Sequence, residues 1–170
     1  MIIPDFEIRR LCKNGMMQDY LEENINPASI DIRIGDNLLI ESAESTELVK
    51  YPIARHSKTE PYLLVPGQFV LAASIESFSL PTDIAAEFRL KSSRAREGYD
   101  QALAVWADCG WHGTLTLELK NNRQLHPLPI YPGMPIGQII FHRMLATPEK
   151  DYLQSGGRYH GDQDVAASKG

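Results

Sequence analysis

Residues 113–122 read GTLTLELKNN, and this stretch decides the fold class. Leucine occupies every second position, and Thr114, Thr116, Glu118 and Lys120 alternate with the leucines. A hydrophobic period of two is typical of a β-strand that buries one face. We therefore predict a half-buried strand that carries Glu118 on the face opposite the leucines.

Strand-like segments continue on both sides of this stretch. They are SIDIRIGDNLLI (29–40), PYLLVPGQFVLAASIESFSLP (61–81), IAAEFRLK (84–91) and LPIYPGMPIGQIIFHRM (128–144). Many short strands punctuated by turns predict an all-β sandwich, barrel or jelly roll. The turns Pro66-Gly67 and Pro132-Gly133 stand in similar frames and indicate two related hairpins, and Gly35-Asp36 marks a turn or bulge.

The two ends of the chain have a different pattern. Apolar spacing between residues 5 and 23 predicts one or two short helices, with Asp5 as the N-cap and Gly15 as the break. Residues 42–60 are predicted to form a loop with one edge strand. The segment 151–170 is polar and rich in glycine, so it is either a frayed tail or a flexible flap whose Arg158, Tyr159, His160 and Gln163 could close over phosphate or a base.

The composition narrows the class of protein. The chain has 170 residues and a net charge of −5, from 17 Lys and Arg against 22 Asp and Glu, so we expect a single domain over residues 1–170. The acidic balance argues against a nucleic-acid binder, which needs a basic face. No apolar run approaches the roughly 18 residues of a membrane helix, and the start MIIPDFEIRR does not have the pattern of a secretory signal. We expect a cytoplasmic protein with no nucleic-acid or membrane partner.

The cysteines and histidines argue against zinc chemistry. Cys12 and Cys109 lie far apart, and the five histidines form no H-x-E or H-E-x-x-H pattern. Zinc deaminases and zinc fingers need Cys and His pairs at fixed spacing, such as C-x-x-C. We therefore expect two reduced thiols and no zinc.

The densest group of candidate binding residues lies in RLKSSRAREG, residues 89–98. Its cations and hydroxyls are Lys91, Ser92, Ser93, Arg94 and Arg96. Hydroxyls, free backbone N–H groups and guanidinium forks together suit an anion such as phosphate. A solvated basic turn would give the same pattern.

Two carboxylates are candidates for catalysis or binding. If the sheet is covered on both faces, Glu118 is partly buried, desolvation raises its pKa, and it can shuttle protons. Otherwise it lies on a wet sheet face. Asp108 stands near Gly110 and Gly113 in ALAVWADCGWHG (102–113), a pattern that ordinary turn chemistry also explains.

Together these segments resemble the dCTP deaminase branch of the dUTPase superfamily, over most of the chain. The motifs that carry the resemblance are NPASIDIRIGD (26–36), PGQFVLAASIESFSLP (66–81), KSSRAREG (91–98), GTLTLELKN (113–121), PGMPIGQIIF (132–141) and RYHGDQ (158–163). The resemblance implies a mainly β, distorted jelly-roll-like β-clip domain of the dUTPase type with short N-terminal helices. It also implies a homotrimer with active sites at the subunit interfaces.

The resemblance further implies a hydrolase that converts dCTP to dUTP and ammonia without zinc. In the matching positions Glu118 activates water, the carbonyl of Ala104 holds that water, and Ser92 and Arg96 contact the reacting centre. Asp108 would bind the deoxyribose 3′-hydroxyl. The full set of substrate-binding residues that the resemblance implies is Lys91, Ser92, Ser93, Arg96, Asp108, Tyr152, Arg158 and Gln163. Mg²⁺ would be held by the triphosphate and water rather than by the protein.

The chain departs from the family pattern around the substrate. Lys91 stands in place of an arginine, Leu103 in place of a threonine, and either Asp162 or the shifted Gln163 in place of the tail glutamine. These departures leave the substrate less certain than the fold. The alternatives are a bifunctional enzyme that carries dCTP through to dUMP and pyrophosphate, and a non-catalytic nucleotide-binding trimer.

Overall fold

Antiparallel β-strands hold about 45% of the residues and helices about 11% in the computed structural model, which describes residues 1–102, 104 and 106–170. Leu103, where the family's threonine is missing, lies outside the described residues. The helices are α1 (Asp5–Lys13) and α2 (Ser92–Glu97), with a 3₁₀ turn at Glu22–Asn24. The strands are β1 (Met17–Gln18), β2 (Ile25–Asn26), β3 (Ser29–Ser42), β4 (Ser45–Pro52), β5 (Tyr62–Leu64), β6 (Phe69–Ser79), β7 (Ile84–Leu90), β8 (Tyr99–Gln101), β9 (Trp106–Ala107), β10 (His112–Asn121), β11 (Leu128–Ile130) and β12 (Pro135–Arg143). The predicted mainly β fold is confirmed, and β4 is the edge strand expected within residues 42–60.

One curled sheet contains ten of these strands. Its path is β8-β10-β6-β3-β12-β7-β9, with β1 paired to β6 and both β2 and β4 paired to β3. Residues 30–33 of β3 pair with β12, whereas residues 34–40 pair with β6. The register shifts between Ile34 and Leu38, and a bulge of this kind bends a strand and increases its twist. The irregularity predicted at Gly35-Asp36 is therefore confirmed, and it lets β3 belong to both halves of the sheet.

The two Pro-Gly turns share one local geometry but do not form hairpins. Gly67 and Gly133 have φ angles of 77° and 76°, which glycine adopts without strain. Each turn is closed by a hydrogen bond from the residue after glycine to the residue before proline, at 3.0 and 3.2 Å. The strands that precede the turns, β5 and β11, pair with each other in a separate two-stranded sheet. The prediction of two related hairpins is wrong, because each short strand finds its backbone partners in the other rather than in the strand that follows it.

The N-terminal helix begins slightly differently from the prediction. Pro4 is the extended N-cap residue, and its carbonyl accepts a hydrogen bond from the Ile8 N–H at 2.9 Å. Asp5 is the first helical residue, so its predicted role as the N-cap is wrong. The break at Gly15 is confirmed, but β1 and the 3₁₀ turn follow it instead of a second α-helix.

The polypeptide around β10 is rigidly held. Leu117 and Leu119 are buried at 2% and 0% exposure, as the alternating pattern predicts, and β6 and β8 pair with the two edges of β10. In β6, the fully buried Glu76 accepts hydrogen bonds from the Arg33 backbone N–H (2.9 Å) and the Arg33 Nε–H (2.7 Å). This ion pair joins β6 to β3 directly beside the strand that carries Glu118.

The two cysteines, Cys12 and Cys109, are free and buried. Burial raises the pKa of the Cys12 thiol to about 12, so this thiol stays protonated. In the described part of the chain, no helix is both long enough and apolar enough to cross a membrane.

Candidate active site

The polar face of β10 forms one wall of a cavity of about 550 Å³. Thr114, Thr116 and Glu118 line this wall together with Leu115 and Leu117, and the register of β10 against β6 shifts between Thr114 and Thr116. Glu118 lies opposite Leu71 of β6 in the sheet register, and its carbonyl accepts a hydrogen bond from the Ala102 N–H at 3.2 Å. The backbone of Glu118 is therefore held from both sides, which fixes the point from which its side chain extends into the cavity.

The surroundings of the Glu118 carboxyl group are largely apolar. Apolar residues of the cavity include Phe69, Leu71, Phe88 and Ile139. Burial raises the pKa of Glu118, opposed only by the residue's own backbone N–H. Of the described residues that line the cavity, none is lysine or arginine. A carboxyl group in this setting is suited to accept a proton and return it.

Three other predicted site residues line the same cavity, namely Ala104, Asp108 and Tyr152. Trp106 donates its indole Nε1–H to Asp108 Oδ1 at 2.9 Å. Tyr152 is held by a hydrogen bond from its N–H to the Cys109 carbonyl at 3.0 Å. The structure thus brings Glu118 together with a carboxylate, a backbone segment and an aromatic side chain that lie far from it in sequence.

The segment 151–170 packs along β10 in this structure and closes one side of the cavity. Thr114 N–H donates to the Asp162 carbonyl at 2.8 Å, and Ala166 N–H donates to Thr116 Oγ1 at 3.1 Å. Gly113 permits this approach, because a Cβ atom at that position would collide with the Asp162 carbonyl. The tail residues closest to β10 are therefore backbone groups rather than long polar side chains.

The tail side chains divide between the cavity and the solvent. Asp162 lines the cavity, and its carboxylate pairs with Lys169 Nζ at 2.7 Å. Arg158 and Gln163 are exposed, and neither is among the described residues that line the cavity. Of the two candidates for the missing tail glutamine, the one that faces the cavity in this chain is Asp162.

The residues of KSSRAREG lie elsewhere. They form α2 rather than a solvated turn, and the helix ends at Gly98. Lys91 precedes the helix and forms an ion pair with Asp31, whereas Ser92, Ser93 and Arg96 are exposed. Among the cavity-lining residues that the structure describes, none comes from this segment. One copy of the chain therefore holds the predicted site in two separate parts.

Sequence reasoning missed two residues of the cavity wall, Trp106 and Trp111. They are the only tryptophans in the chain, and they stand on either side of Asp108. The ring of Trp111 packs edge-on against Tyr152, with ring centroids 5.1 Å apart. The signal was available, since two large aromatic side chains so close to a carboxylate are unusual for a simple turn.

This arrangement of motifs and side chains has known counterparts. A family model described as dCTP deaminase-like matches residues 2–144. The chain belongs to the dCTP deaminase-like family. The family predicted from the motifs is therefore confirmed, as is the prediction of an enzyme of the dCTP deaminase class of hydrolases.

Similar proteins span nearly the whole chain. One, named "dCTP deaminase, dUMP-forming", from Methanopyrus kandleri, is 32% identical and is matched over 99% of this chain and 95% of its own. Proteins of the same name from Nanoarchaeum equitans and Sulfurihydrogenibium are 34% and 35% identical, each matched over 99% of this chain and 97% of its own.

Solved structures confirm the dUTPase-like type of fold. The 2′-deoxycytidine 5′-triphosphate deaminase from Agrobacterium tumefaciens superposes with a TM-score of 0.70 at 22% identity, over 84% of this chain and 47% of that one. The dUTPase from phage phi11 of S. aureus superposes with a TM-score of 0.51 at 12% identity, over 78% of this chain and 87% of that one.

Proposed function

We propose that this enzyme deaminates dCTP hydrolytically, without zinc, and that Glu118 is the group that activates water. The observation that carries the proposal is the position of Glu118. It is fixed on β10 in a cavity with apolar walls, which raise its pKa, and it shares that cavity with Ala104 and Asp108. The names of the relatives support dCTP as the substrate.

The reaction needs a group that takes a proton and gives it back. The Glu118 carboxylate removes a proton from water while the water oxygen bonds to C4 of cytosine, and the carbonyl of Ala104 holds that water. The proton passes to the ring nitrogen N3. Glu118 then takes the proton of the new C4 hydroxyl and passes it to the 4-amino group, so the bond between C4 and the amine breaks, ammonia leaves and the C4 carbonyl forms. Burial raises the pKa of Glu118. The proton affinity of its carboxylate is therefore better matched to the groups with which it exchanges protons than that of an exposed carboxylate.

The remaining contacts follow from the same assignment. Asp108 accepts a hydrogen bond from the 3′-hydroxyl, and Tyr152 closes the cavity beside it. Arg158 and Gln163, which are exposed here, reach the phosphates when the tail moves toward them. The ion that accompanies a triphosphate is Mg²⁺, and a hard cation held by phosphate oxygens and water fits a site where, within the described residues, no three metal-binding side chains cluster.

A second copy of the chain completes the site in this proposal. The described residues that line the cavity include no cation to neutralise a triphosphate, whereas Ser92, Ser93 and Arg96 are exposed on α2. Lys91 stands at the start of that helix. In a closed trimer, each α2 meets the cavity of the neighbouring copy, and every site combines residues of two subunits.

Two products of the reaction are considered, dUTP and dUMP. Release of dUTP is the simplest outcome of the proposed chemistry. The curated relatives are named dUMP-forming, which favours the bifunctional alternative. We therefore propose that a second water hydrolyses the bond between the α- and β-phosphates, so that dCTP and two waters give dUMP, pyrophosphate and ammonia.

The test of the deamination step is the Glu118→Gln variant. This substitution keeps the size of the side chain and removes the proton acceptor, so ammonia release from dCTP with Mg²⁺ should fall by about 10³-fold. Calorimetric binding of dCTP should persist. The matched control is Glu44→Gln, the same change at an exposed glutamate outside the cavity, which should leave turnover unchanged.

Chromatography of the same reactions separates the alternatives. Equal amounts of dUMP, pyrophosphate and ammonia support the bifunctional enzyme, and dUTP with ammonia supports a plain deaminase. Binding of dCTP without ammonia release from any deoxycytidine nucleotide would overturn the catalytic proposal in favour of a nucleotide-binding protein.

A further inference from the structure

Trp106 has an unusual position for a tryptophan. It lies on β9, opposite Glu87 of β7 in the sheet register, and it is 56% exposed. Together with Asp108 and Tyr152 it lines both the 550 Å³ cavity and an adjoining cavity of about 340 Å³. Trp106 therefore lies in the wall between the two cavities, beside Asp108.

Neighbouring side chains hold the indole ring of Trp106 in place. Its ring lies against the ring of His142, with centroids 5.6 Å apart, and His142 Nε2 is 3.2 Å from Glu87 Oε2. In front, Trp106 Nε1–H donates to Asp108 Oδ1 at 2.9 Å. His142 on β12 therefore supports the Trp106 indole on one side. On the other side, the indole N–H holds Oδ1 of the Asp108 carboxylate.

We propose that Trp106 is a positioning residue, which orients Asp108 so that its second oxygen, Oδ2, accepts the 3′-hydroxyl of the substrate. This inference rests on the proposed function and deepens it. A carboxylate with one oxygen already bound loses little further freedom when the nucleotide arrives, so the cost of ordering it is met before binding. Trp106 acts through Asp108 and selects for nucleotides that carry a 3′-hydroxyl.

A positioning role for Trp106 affects the two kinds of nucleotide differently, which a purely structural role would not. If Trp106 works through the contact between Asp108 and the 3′-hydroxyl, then a nucleotide without that hydroxyl gains nothing from the indole N–H. Loss of the indole N–H should weaken the binding of dCTP and leave the binding of 2′,3′-dideoxycytidine triphosphate unchanged.

The variant is Trp106→Phe, which keeps an aromatic ring beside His142 and removes the donor. We expect KM for dCTP to rise about tenfold, the loss typical of a hydrogen bond to a charged group, with kcat changed less than KM. For the dideoxynucleotide, kcat/KM should stay within about twofold. In an Asp108→Ala background, which removes both carboxylate oxygens, the same change should have no further effect on dCTP, because the two residues act as a unit.

Trp111→Phe is the matched control. It removes an indole N–H that donates to the Gly113 carbonyl rather than to Asp108, so any effect it has should be equal for the two nucleotides. Thermal unfolding midpoints of all variants show whether the fold is retained.

Dissociation constants of both nucleotides, measured in the Glu118→Gln background, give a second readout that does not depend on turnover. Failure of the wild-type protein to bind or deaminate dCTP would overturn the proposed function and this inference with it. Deamination by the wild-type protein, with equal losses for the two nucleotides in Trp106→Phe, would overturn this inference alone.

Discussion

β10 and α2 carry the two most informative motifs of the chain, and they are built in opposite ways. β10 lies inside the sheet, with Leu117 and Leu119 buried and Glu118 half-buried in a cavity. α2 is a six-residue helix at the surface, where Ser92, Ser93 and Arg96 are exposed.

The contrast matches the two kinds of work proposed for the site. Proton transfer needs a carboxyl group held in fixed, desolvated surroundings, which the packed strand β10 provides here. Contact of Ser92 and Arg96 with the reacting centre, and of Ser93 with phosphate, needs hydroxyls and cations that remain accessible. We infer that the rigid half belongs to the copy that performs the chemistry and that the exposed half serves a neighbouring copy.

Mixed trimers test, with the largest expected effect, whether Glu118 and Arg96 of one site come from different copies of the chain. Glu118→Gln and Arg96→Ala should each be nearly inactive alone. After the two variants exchange subunits in equal amounts, about a quarter of the wild-type ammonia release should return, because each site needs an intact Glu118 from one copy and an intact Arg96 from its neighbour. Mixing Glu118→Gln with Glu118→Ala is the control and should restore nothing. Inactive mixed trimers, once their formation is verified, would place both residues in one subunit.

The rigidity of the strand side can be tested without touching the cavity. Glu76→Ala leaves the Arg33 side chain and backbone N–H without their buried acceptor, and we expect the free energy of unfolding to fall by about 3 kcal/mol in urea titrations. Glu22→Ala removes the carboxylate of an exposed pair with Arg9 and should change stability little. Equal changes in the free energy of unfolding for the two substitutions would show that the Arg33–Glu76 ion pair beside β10 does not stabilise the sheet.

The acid limb of the pH profile is the mildest test. The proposed base must be ionised, so kcat/KM should fall tenfold per pH unit below the pKa of Glu118 and level off above it. Because burial raises that pKa, the midpoint should lie above the ordinary range of an exposed glutamate. A midpoint inside the ordinary range would indicate that Glu118 is solvated.

The raised pKa of Glu118 also predicts how the stability of the protein depends on pH. A carboxyl group whose pKa is raised by folding costs stability once the pH rises above its unfolded value. The wild-type protein should therefore lose stability relative to Glu118→Gln as the pH rises through the pKa of the folded state. This comparison uses the same two proteins as the activity assay and checks the pKa independently.

Some local features were predictable because they depend on near neighbours in the chain. The alternation in GTLTLELKNN places Glu118 opposite the buried leucines whatever the strand pairs with. The break at Gly15 and the bulge at Gly35-Asp36 likewise follow from residue types. By contrast, SSRARE has no apolar period, so its short helix left no signal in the sequence.

Other features depended on partners far along the chain. The strands before the two Pro-Gly turns pair with each other, although each turn alone is compatible with a hairpin. Asp108 has the residue pattern of a turn, and Trp106 lies only two residues before it. The ring of His142, which packs against the Trp106 indole, comes from β12, much later in the chain.

The family, the mainly β architecture and the face on which Glu118 lies follow from the amino-acid sequence alone. They depend on composition, hydrophobic period and the order of motifs, which need no contact between distant residues. The shared cavity of Glu118, Ala104 and Asp108, with α2 outside it, follows only from the folded chain. The physical reason is that burial and proximity arise from pairing between distant strands, and the raised pKa of Glu118 exists only after that pairing has removed water.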